Sequence, residues 1–304
     1  MATVHIDPSF DDEERRRRLF AGELIVYTSV PEVAAFATFA RGLVTEVFAP
    51  HEPTKIHESQ TPDELADILI GFKPAFIHHP ESIGHVRSIV RALGGNTDDV
   101  YADVPKLRTA FPAGGLSTGI AYAFQAHRDT WYGAPGQQIN WWMPMWPVAA
   151  ENIMEFFPRY FGAEIANTSD QYSYYEANTW RGRIKDFSGG KDTRVHPAPS
   201  SPLPDDEARL CLVPPVGGIM LFSGDHLHAS IPNRTGATRY SIDFRTVNIE
   251  DVRTGRGAPR VDVRCTGTAL RDFRRLSDLA PMHEEDVAPH DVPDTEGIKV
   301  YVPS

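Results

Sequence analysis

The sequence predicts a mainly β protein with additional α-helices, in which a jelly-roll barrel is buttressed by helices of the N-terminal part. Three observations favour this fold class. Residues 1–99 carry helix-start signals and helical periodicity, residues 100–250 form short apolar or alternating runs between Gly, Pro, Asn and Asp, and residues 251–304 are polar. We therefore interpret the 304 residues as a single domain with a mixed helical N-terminal part, a jelly-roll core and a polar C-terminal extension.

The N-terminal part is expected to contain one strand and three helices. The strand covers residues 23–27. Ser29 then begins a Ser-x-x-Glu capping box before apolar residues spaced three and four apart, and Thr61 begins a second box with Pro at the first helical position. A third helix is expected over residues 80–93, because two glycines follow it.

The core is expected to contain strands at residues 138–143, 152–157, 218–222 and 239–247, which are separated by turn-forming residues. Residues 188–206 are rich in Pro, Ser, Gly and Asp and are expected to form a long loop. Long loops in compact domains often serve as lids or binding segments.

The composition bears on whether the protein is soluble and in which compartment it is expected. No apolar run approaches the roughly 18 residues that span a bilayer, and the N-terminus lacks the basic start and apolar core of a secretory signal. Only Cys211 and Cys265 are present, too few for a disulfide framework or a zinc-type cysteine cluster. We expect a soluble, cytoplasmic protein, a monomer or homodimer, with no membrane partner.

Charge limits the partners. The formal charge of −11 opposes attachment to the phosphate backbones of nucleic acids. In the one basic run, residues 15–18, each Arg stands four residues after an acid, a spacing that predicts an ion-paired, solvated helix face. We therefore expect no nucleic-acid partner and a small-molecule substrate.

Four His-x-Asp or His-x-Glu triplets occur in the chain. With 12 His and 41 acidic residues, about 1.6 are expected by chance. Three of the four lie at the N-terminus, at a helix start and in the acidic tail. Only His127-Arg128-Asp129 lies at the entry to the barrel region, where residues i and i+2 of a strand point to the same face. His127 and Asp129 are therefore candidate metal ligands.

A non-haem Fe(II) site needs two imidazoles and one carboxylate on one face of the metal. The second imidazole is expected on a distant strand, and residues 217–239 run from a Gly-led apolar strand into His226 and His228. A polar turn with Asn233 and a strand beginning at Arg239 follow. Both histidines lie on the same face of a regular strand, so the residues alone leave the choice between them open.

Residues 217–239 strongly resemble the closing segment of Fe(II)/2-oxoglutarate-dependent dioxygenases of the phytanoyl-CoA dioxygenase-like (PhyH) branch. That family has Asn five residues and Arg eleven residues after its distal His ligand, and Asn233 and Arg239 stand at these offsets from His228. Eleven residues after His226 stands an alanine, which cannot bind an anion. The resemblance therefore implies a double-stranded β-helix, or jelly roll, that binds Fe(II) through the triplet and His228.

The same resemblance implies 2-oxoglutarate and O₂ as cosubstrates. Arg239 is expected to grip the distal carboxylate of 2-oxoglutarate through paired hydrogen bonds, with Arg245 on the same strand face as the alternative. Relatives that transfer chloride lack the carboxylate of the triplet. Asp129 therefore predicts oxygenation instead of halogenation.

Two further sets of side chains are candidate site residues. Gln138 and Asn140 share one strand face, and its polarity so soon after the triplet predicts that they help to hold the cosubstrate. A solvent-facing strand would show the same pattern. The candidate substrate contacts flank the metal motif or lie in the long loop, and they are Trp131, Tyr132, Arg194 and His196.

The expected activity is oxidation, most simply hydroxylation, of a small-molecule metabolite, secondary metabolism included, with release of succinate and CO₂. Two alternatives fit a jelly roll. A cupin-type metalloenzyme uses the barrel and the metal without 2-oxoglutarate, and so forms no succinate. A metal-free jelly-roll binding module binds its ligand fully without any metal.

Overall fold

A layer of helices forms the N-terminal part of the protein. The computed structural model describes residues 2–112, 125–181 and 196–291. The helices of this layer are α1 (Asp12–Phe20), α2 (Pro31–Phe48), α3 (Pro62–Ile77) and α4 (Pro80–Ala92). The three helices predicted after the first strand are therefore confirmed.

The helix ends follow two of the three predicted signals. In α3 the Thr61 hydroxyl accepts from the Glu64 N–H and the Glu64 carboxylate accepts from the Thr61 N–H, which closes the predicted capping box. Gly94 follows α4 with a φ of +83°, a conformation that favours glycine. α2 instead has Val30 at its N-cap, without a side-chain cap, where Ser29 was expected, because the helix begins one residue later with Pro31 at its first position.

Helix α2 is unusually apolar. With the short 3₁₀ segment that follows, Pro31–Glu58 is long and apolar enough to cross a membrane, by length and composition alone. A buried helix in a protein core passes the same test. Val33, Phe36, Ala40 and Val44 lie on one face of α2 and are buried in the main hydrophobic cluster. In this structure one face of α2 is therefore part of the protein core.

Within the described residues, eleven strands form two sheets. The strands are β1 (Val4–Ile6), β2 (Leu24–Tyr27), β3 (Val100–Ala102), β4 (Lys106–Ala110), β5 (Ile139–Pro144), β6 (Met154–Phe156), β7 (Leu210–Cys211), β8 (Ile219–Ser223), β9 (His228–Ser230), β10 (Arg239–Asn248) and β11 (Arg274–Arg275). The major sheet is mixed and has the order β1-β2-β8-β5-β10-β3-β11, with β4 also paired to β10. The minor sheet has the order β7-β6-β9.

The four predicted core strands correspond to β5, β6, β8 and β10. The major sheet extends beyond the predicted core, because β1 and β2 come from the N-terminal part and β11 comes from the C-terminal extension. Only the pairing of β1 with β2 is parallel among the described strand pairs of this sheet.

The helices and the two sheets make three layers. Ile139 and Trp141 of β5 are buried on the helix side of the major sheet. Trp142 points to the opposite face and is buried with Phe156 of β6 and Phe222 of β8, so the two sheets pack face to face there. The even-numbered side chains of β5 therefore point into the space between the sheets.

The C-terminal extension builds a second small core as well as polar surface. Leu270, Phe273 and Met282 are buried with Tyr101 of β3 and Val247 of β10. The helices of this half of the chain are α5 (Tyr174–Arg181), α6 (Ile249–Thr254) and α7 (Glu284–Val287). Isolated apolar residues in a polar stretch thus attach the extension to the end of the major sheet.

Candidate metal centre

Three side chains from two distant segments of the chain meet beside the minor sheet. His127, Asp129 and His228 each offer one ligand atom, and these atoms lie within 4.8 Å of one another. The Oδ1 atom of Asp129 lies 3.6 Å from Nε2 of His127 and 4.0 Å from Nε2 of His228. Such separations fit ligands of one ion, because each ligand atom lies about 2 Å from a bound transition metal.

The backbone fixes the two histidines relative to each other. The N–H of His127 donates to the carbonyl of His228, and the N–H of His228 donates to the carbonyl of His127, both over 2.9 Å. This antiparallel bridge forms at the first residue of β9. Residues that face each other across such a bridge project to the same side, which brings both imidazoles to one place.

Each imidazole is also oriented by a backbone carbonyl. Nδ1 of His127 lies 2.8 Å from the carbonyl oxygen of Gln125, and Nδ1 of His228 lies 2.9 Å from that of His226. A ring that donates from Nδ1 carries its lone pair on Nε2. Both rings therefore present Nε2 to the candidate metal position, as ligand histidines do.

His226, the rival ligand, lies outside the group. Its ring is fully buried beside Phe156 and Phe161, and neither ring nitrogen has a hydrogen-bond partner among the described residues. A turn at residues 224–226 precedes β9, so the alternation assumed for a regular strand does not reach His226. The structure therefore brings His228, and not His226, to the triplet.

Two amides, from Asn140 of β5 and from Gln138 just before this strand, hold the second carboxylate oxygen of Asp129. Asn140 Nδ2 donates to Oδ2 over 2.7 Å and Gln138 Nε2 donates to it over 3.0 Å. Gln138 also donates to the Asn140 side-chain oxygen over 2.8 Å. These bonds leave Oδ1 facing the histidines. Gln138 and Asn140 therefore position a metal ligand, and their contact with a cosubstrate stays a prediction.

Electrostatics favour the ligands in their metal-binding protonation states. Burial raises the pKa of Asp129, but His127 and the charge of Arg245 outweigh it and hold the pKa below its usual range. Burial, followed by the charge of His127, lowers the pKa of His228 to about 4. At neutral pH the site offers a carboxylate and an imidazole with a free lone pair, as metal binding requires.

Asn140→Ala is expected to weaken metal binding by about 10- to 100-fold, because it removes the shorter of the two hydrogen bonds that orient Asp129. The measurement is an anaerobic titration of metal-free protein with Fe(II). Asn248→Ala is the matched control, since Asn248 is also buried but caps α6 away from the triplet. Equal affinity in Asn140→Ala and the wild type would contradict the positioning role.

Arg239, at the start of β10, is a buried cation with an unused hydrogen-bond donor. Nη1 donates to the carbonyl of Asn152 over 3.0 Å, and Nε has no partner among the described residues. Burial lowers the pKa of Arg239 to about 10, so the side chain is charged at neutral pH. Ser241, the next residue on this strand face, is also buried, and its hydroxyl likewise lacks a partner in the described chain. Because buried polar groups are normally hydrogen-bonded, the pair is suited to an anion.

Arg245 already faces three carboxylates. Its Nη1 lies 3.0 Å from Asp243 Oδ2 and 3.3 Å from Asp103 Oδ2, and its Nε lies 3.8 Å from Asp129 Oδ2. Burial opposes its charge, but these acids outweigh burial and raise the pKa of Arg245. The geometry therefore favours Arg239 over Arg245 as the anchor of an added anion.

The structure does not support Trp131 as a substrate contact. Its side chain is fully buried in a cluster with Phe157 and Leu227. Its indole N–H donates to Asp262 Oδ1 over 2.9 Å. The 3₁₀ turn that begins at Asp129 breaks the strand alternation and sends Trp131 into the core. Adjacency to the triplet alone could not reveal this.

Two of the remaining predicted substrate contacts, Tyr132 and His196, lie within the described residues. The Tyr132 ring lies edge-on to His127 with the ring centroids 5.4 Å apart, and Tyr172 and His196 lie 5.1 and 6.3 Å from Tyr132. Tyr132 therefore stands beside a candidate metal ligand. His196 stands beside Tyr132, as does Tyr172, which the sequence did not single out. Arg194 lies outside the described residues.

Sequence analysis also missed Ser241 and the acids that neutralise Arg245. Ser241 and Asp243 share the strand face of Arg239 and Arg245, so the alternation of β10 was the available signal. Asp103 approaches from another strand end and left no local signal.

No protein-family model matches the sequence, and no curated protein is significantly similar to it. Among solved structures, EvdO2 from Micromonospora carbonacea var. aurantiaca is 13% identical over 80% of this chain and 93% of EvdO2, with a TM-score of 0.46. The non-heme monooxygenase ThoJ is 14% identical over 77% of both chains, with a TM-score of 0.40. SnoN, a non-heme alpha ketoglutarate dependent epimerase from nogalamycin biosynthesis, is 13% identical over 78% of this chain and 85% of SnoN, with a TM-score of 0.39. Such scores mark a loose overlap, so the function of this chain is inferred from its own residues.

Proposed function

We propose that the protein is a non-haem Fe(II)- and 2-oxoglutarate-dependent oxygenase that oxidises a small-molecule metabolite. The observation that carries the proposal is the group formed by His127, Asp129 and His228. Two imidazoles and one carboxylate that leave further coordination positions suit Fe(II) in oxygenases. The two facing sheets beside this group support the jelly-roll architecture expected for such an enzyme.

The polar atoms near the start of β10 support 2-oxoglutarate as the cosubstrate. Nε of Arg239 and the hydroxyl of Ser241 are buried donors without partners among the described residues. A dicarboxylate that chelates the metal has a second carboxylate to place, and a guanidinium is suited to bind it. These two donors fit that second carboxylate better than Arg245, which three acids already surround.

When bound, Fe(II), 2-oxoglutarate and O₂ supply oxidation of an unactivated carbon, with release of succinate and CO₂. The protein contributes ligand geometry and an apolar wall. Asn140 fixes the Asp129 carboxylate, and the rings of Phe222 and Phe156 lie 5.3 and 6.1 Å from the His228 ring. These aromatic neighbours exclude water from one side of the site.

Asp129 also supports oxygenation as the reaction class. Its Oδ1 atom faces both histidines, so with a metal bound the carboxylate would take the coordination position that a halide needs. The substrate is expected to approach from the side of Tyr132, Tyr172 and His196. We propose hydroxylation as the simplest outcome, in a cytoplasmic protein.

The test is succinate formation by purified protein with Fe(II), 2-oxoglutarate and O₂ across a panel of small metabolites, with the oxidised product identified by mass spectrometry. Succinate formation that depends on metal and substrate supports the proposal. Substrate oxidation without succinate would favour the cupin-type alternative. Full ligand binding by metal-free protein, with no turnover when iron is added, would favour a binding module.

A further inference from the structure

The residue between the two ligands of the triplet points away from the metal position. The Arg128 side chain is fully buried, and its guanidinium makes four hydrogen bonds on the far side of the chain. Nη1 donates to the backbone carbonyl and the Oδ2 atom of Asp225 over 3.0 and 3.3 Å. Nη2 donates to the carbonyls of Tyr160 and Ala163 over 2.6 and 2.8 Å. Nε lies 3.5 Å from Asp262 Oδ2.

Asp225 links this network to both parts of the metal centre. It stands three residues before His228, in the turn that leads into β9. Its Oδ1 accepts from the Thr130 hydroxyl over 2.9 Å, and Thr130 directly follows the ligand Asp129. Arg128 and Thr130 thus bind Asp225 from either side of Asp129. Besides the two bonds of the His127–His228 bridge, a backbone bond from the Thr130 N–H to the Gly224 carbonyl, over 3.3 Å, joins these segments in the described chain.

Asp262 links the network to the C-terminal extension. Its Oδ1 accepts from the Trp131 indole and its Oδ2 accepts from the backbone N–H of Ile165. Arg128 therefore lies between two buried carboxylates, Asp225 and Asp262. The guanidinium donates to Asp225 and three carbonyls and pairs by charge with Asp262. It can do so because it presents five N–H donors in a fixed plane, whereas an ammonium has three donors and no fork.

We propose that Arg128 is a positioning residue that holds the segment of His127 and Asp129 and the turn before His228 at the spacing the metal requires. The inference rests on the proposed metal site. A buried Arg that merely stabilised the fold would join elements unrelated to the ligands. Arg128 instead lies in the triplet and bonds Asp225, in the turn before His228. A shorter or differently shaped side chain at this position therefore moves Asp129 Oδ1 relative to His228 Nε2, which are 4.0 Å apart.

The test compares Arg128→Lys with Arg16→Lys. Arg16 is a matched buried arginine, because its Nε donates to Asp251 Oδ2 over 2.6 Å, in contact with α6 and not with the triplet. Metal-free proteins are titrated with Co(II) alone, and both the dissociation constant and the ligand-field absorption of bound Co(II) are recorded. Thermal unfolding of the metal-free proteins measures stability.

Both substitutions are expected to lower the unfolding temperature. Only Arg128→Lys is expected to raise the Co(II) dissociation constant, by about 10- to 100-fold, and to change the absorption spectrum, as loss of a group that orients ligands does. Wild-type affinity and spectrum in a folded Arg128→Lys protein would overturn the positioning role alone. Absence of Co(II) binding by the wild type would overturn the metal site itself, and with it the proposed function.

Thr130→Val keeps the test decisive if Arg128→Lys does not fold. The change is close to isosteric and removes only the hydroxyl bond to Asp225. A several-fold weaker Co(II) affinity supports the network as the positioning device. Unchanged affinity and spectrum in Thr130→Val would count against it.

Discussion

His228→Ala is expected to abolish iron binding, whereas His226→Ala is expected to retain one Fe(II) per chain. The first change removes an imidazole whose Nε2 faces the Asp129 carboxylate at 4.0 Å, and the second removes a ring that packs on Phe161 and lies outside the group of ligand atoms. Loss of a direct ligand should weaken affinity by more than the roughly 100-fold that follows loss of an orienting partner. Iron content after anaerobic loading and desalting is the measurement.

His127→Ala and Asp129→Ala are expected to behave like His228→Ala, because each supplies one of the three ligand atoms. His226→Ala controls for the loss of a buried imidazole, since His226 is also fully buried. Retention of iron by His228→Ala together with its loss from His226→Ala would show that the ligand assignment is wrong.

Arg239→Leu is expected to raise the concentration of 2-oxoglutarate needed for half-maximal binding by about 10- to 150-fold. This range corresponds to the roughly 1.5–3 kcal/mol of a hydrogen bond to a charged group. Iron binding should be unchanged, because within the described residues Arg239 donates to the Asn152 carbonyl and not to a residue of the triplet. Calorimetric titration of the iron-loaded protein with 2-oxoglutarate, in the absence of O₂, provides the measurement.

Arg245→Leu is the contrasting variant. It leaves Asp103, Asp243 and Asp129 without their shared cation, so it should lower the free energy of unfolding by up to about 3 kcal/mol and weaken iron binding as well. A selective loss of 2-oxoglutarate affinity in Arg245→Leu, with none in Arg239→Leu, would mean that the anion anchor has been misassigned.

The site residues that could be predicted from the sequence are those related by the two-residue repeat of a strand or by a short, fixed spacing along the chain. Because residues i and i+2 of a strand share a face, the sequence predicted that His127 lies beside Asp129 and that Gln138 lies beside Asn140. The choice of His228 depended on the offset to Arg239. The turn that removes His226 from the strand face is a backbone feature that periodicity alone did not reveal.

The parts that could not be predicted depend on partners distant in the sequence. Arg15 and Arg16 were expected on a solvated helix face, yet both are buried. The reason is that this face of α1 packs against other parts of the protein, where Arg15 donates to the Leu93 carbonyl and Arg16 donates to Asp251. Arg128 was noted only as the residue between two ligands. Its partner Asp225 lies 97 residues further on, and no local pattern connects them.

The same limit applies to the fold. The starts of helices with capping signals and the bounds of strands with turn-forming boundaries were predicted within a few residues. The joining of β1, β2 and β11 to the major sheet depends on pairing between segments far apart in the chain, such as β2 with β8. Such pairing is set by packing, which the sequence of a single strand does not specify.

The most direct test of the central claim is an anaerobic titration of the Fe(II)-loaded protein with 2-oxoglutarate, followed by visible absorption. A 2-oxo acid that chelates Fe(II) gives a charge-transfer band. We expect this band in the wild type, saturating at one 2-oxoglutarate per iron, and no band in His228→Ala. Absence of the band from wild-type protein that holds iron, or a wild-type band in His228→Ala, would contradict an iron centre built from His127, Asp129 and His228.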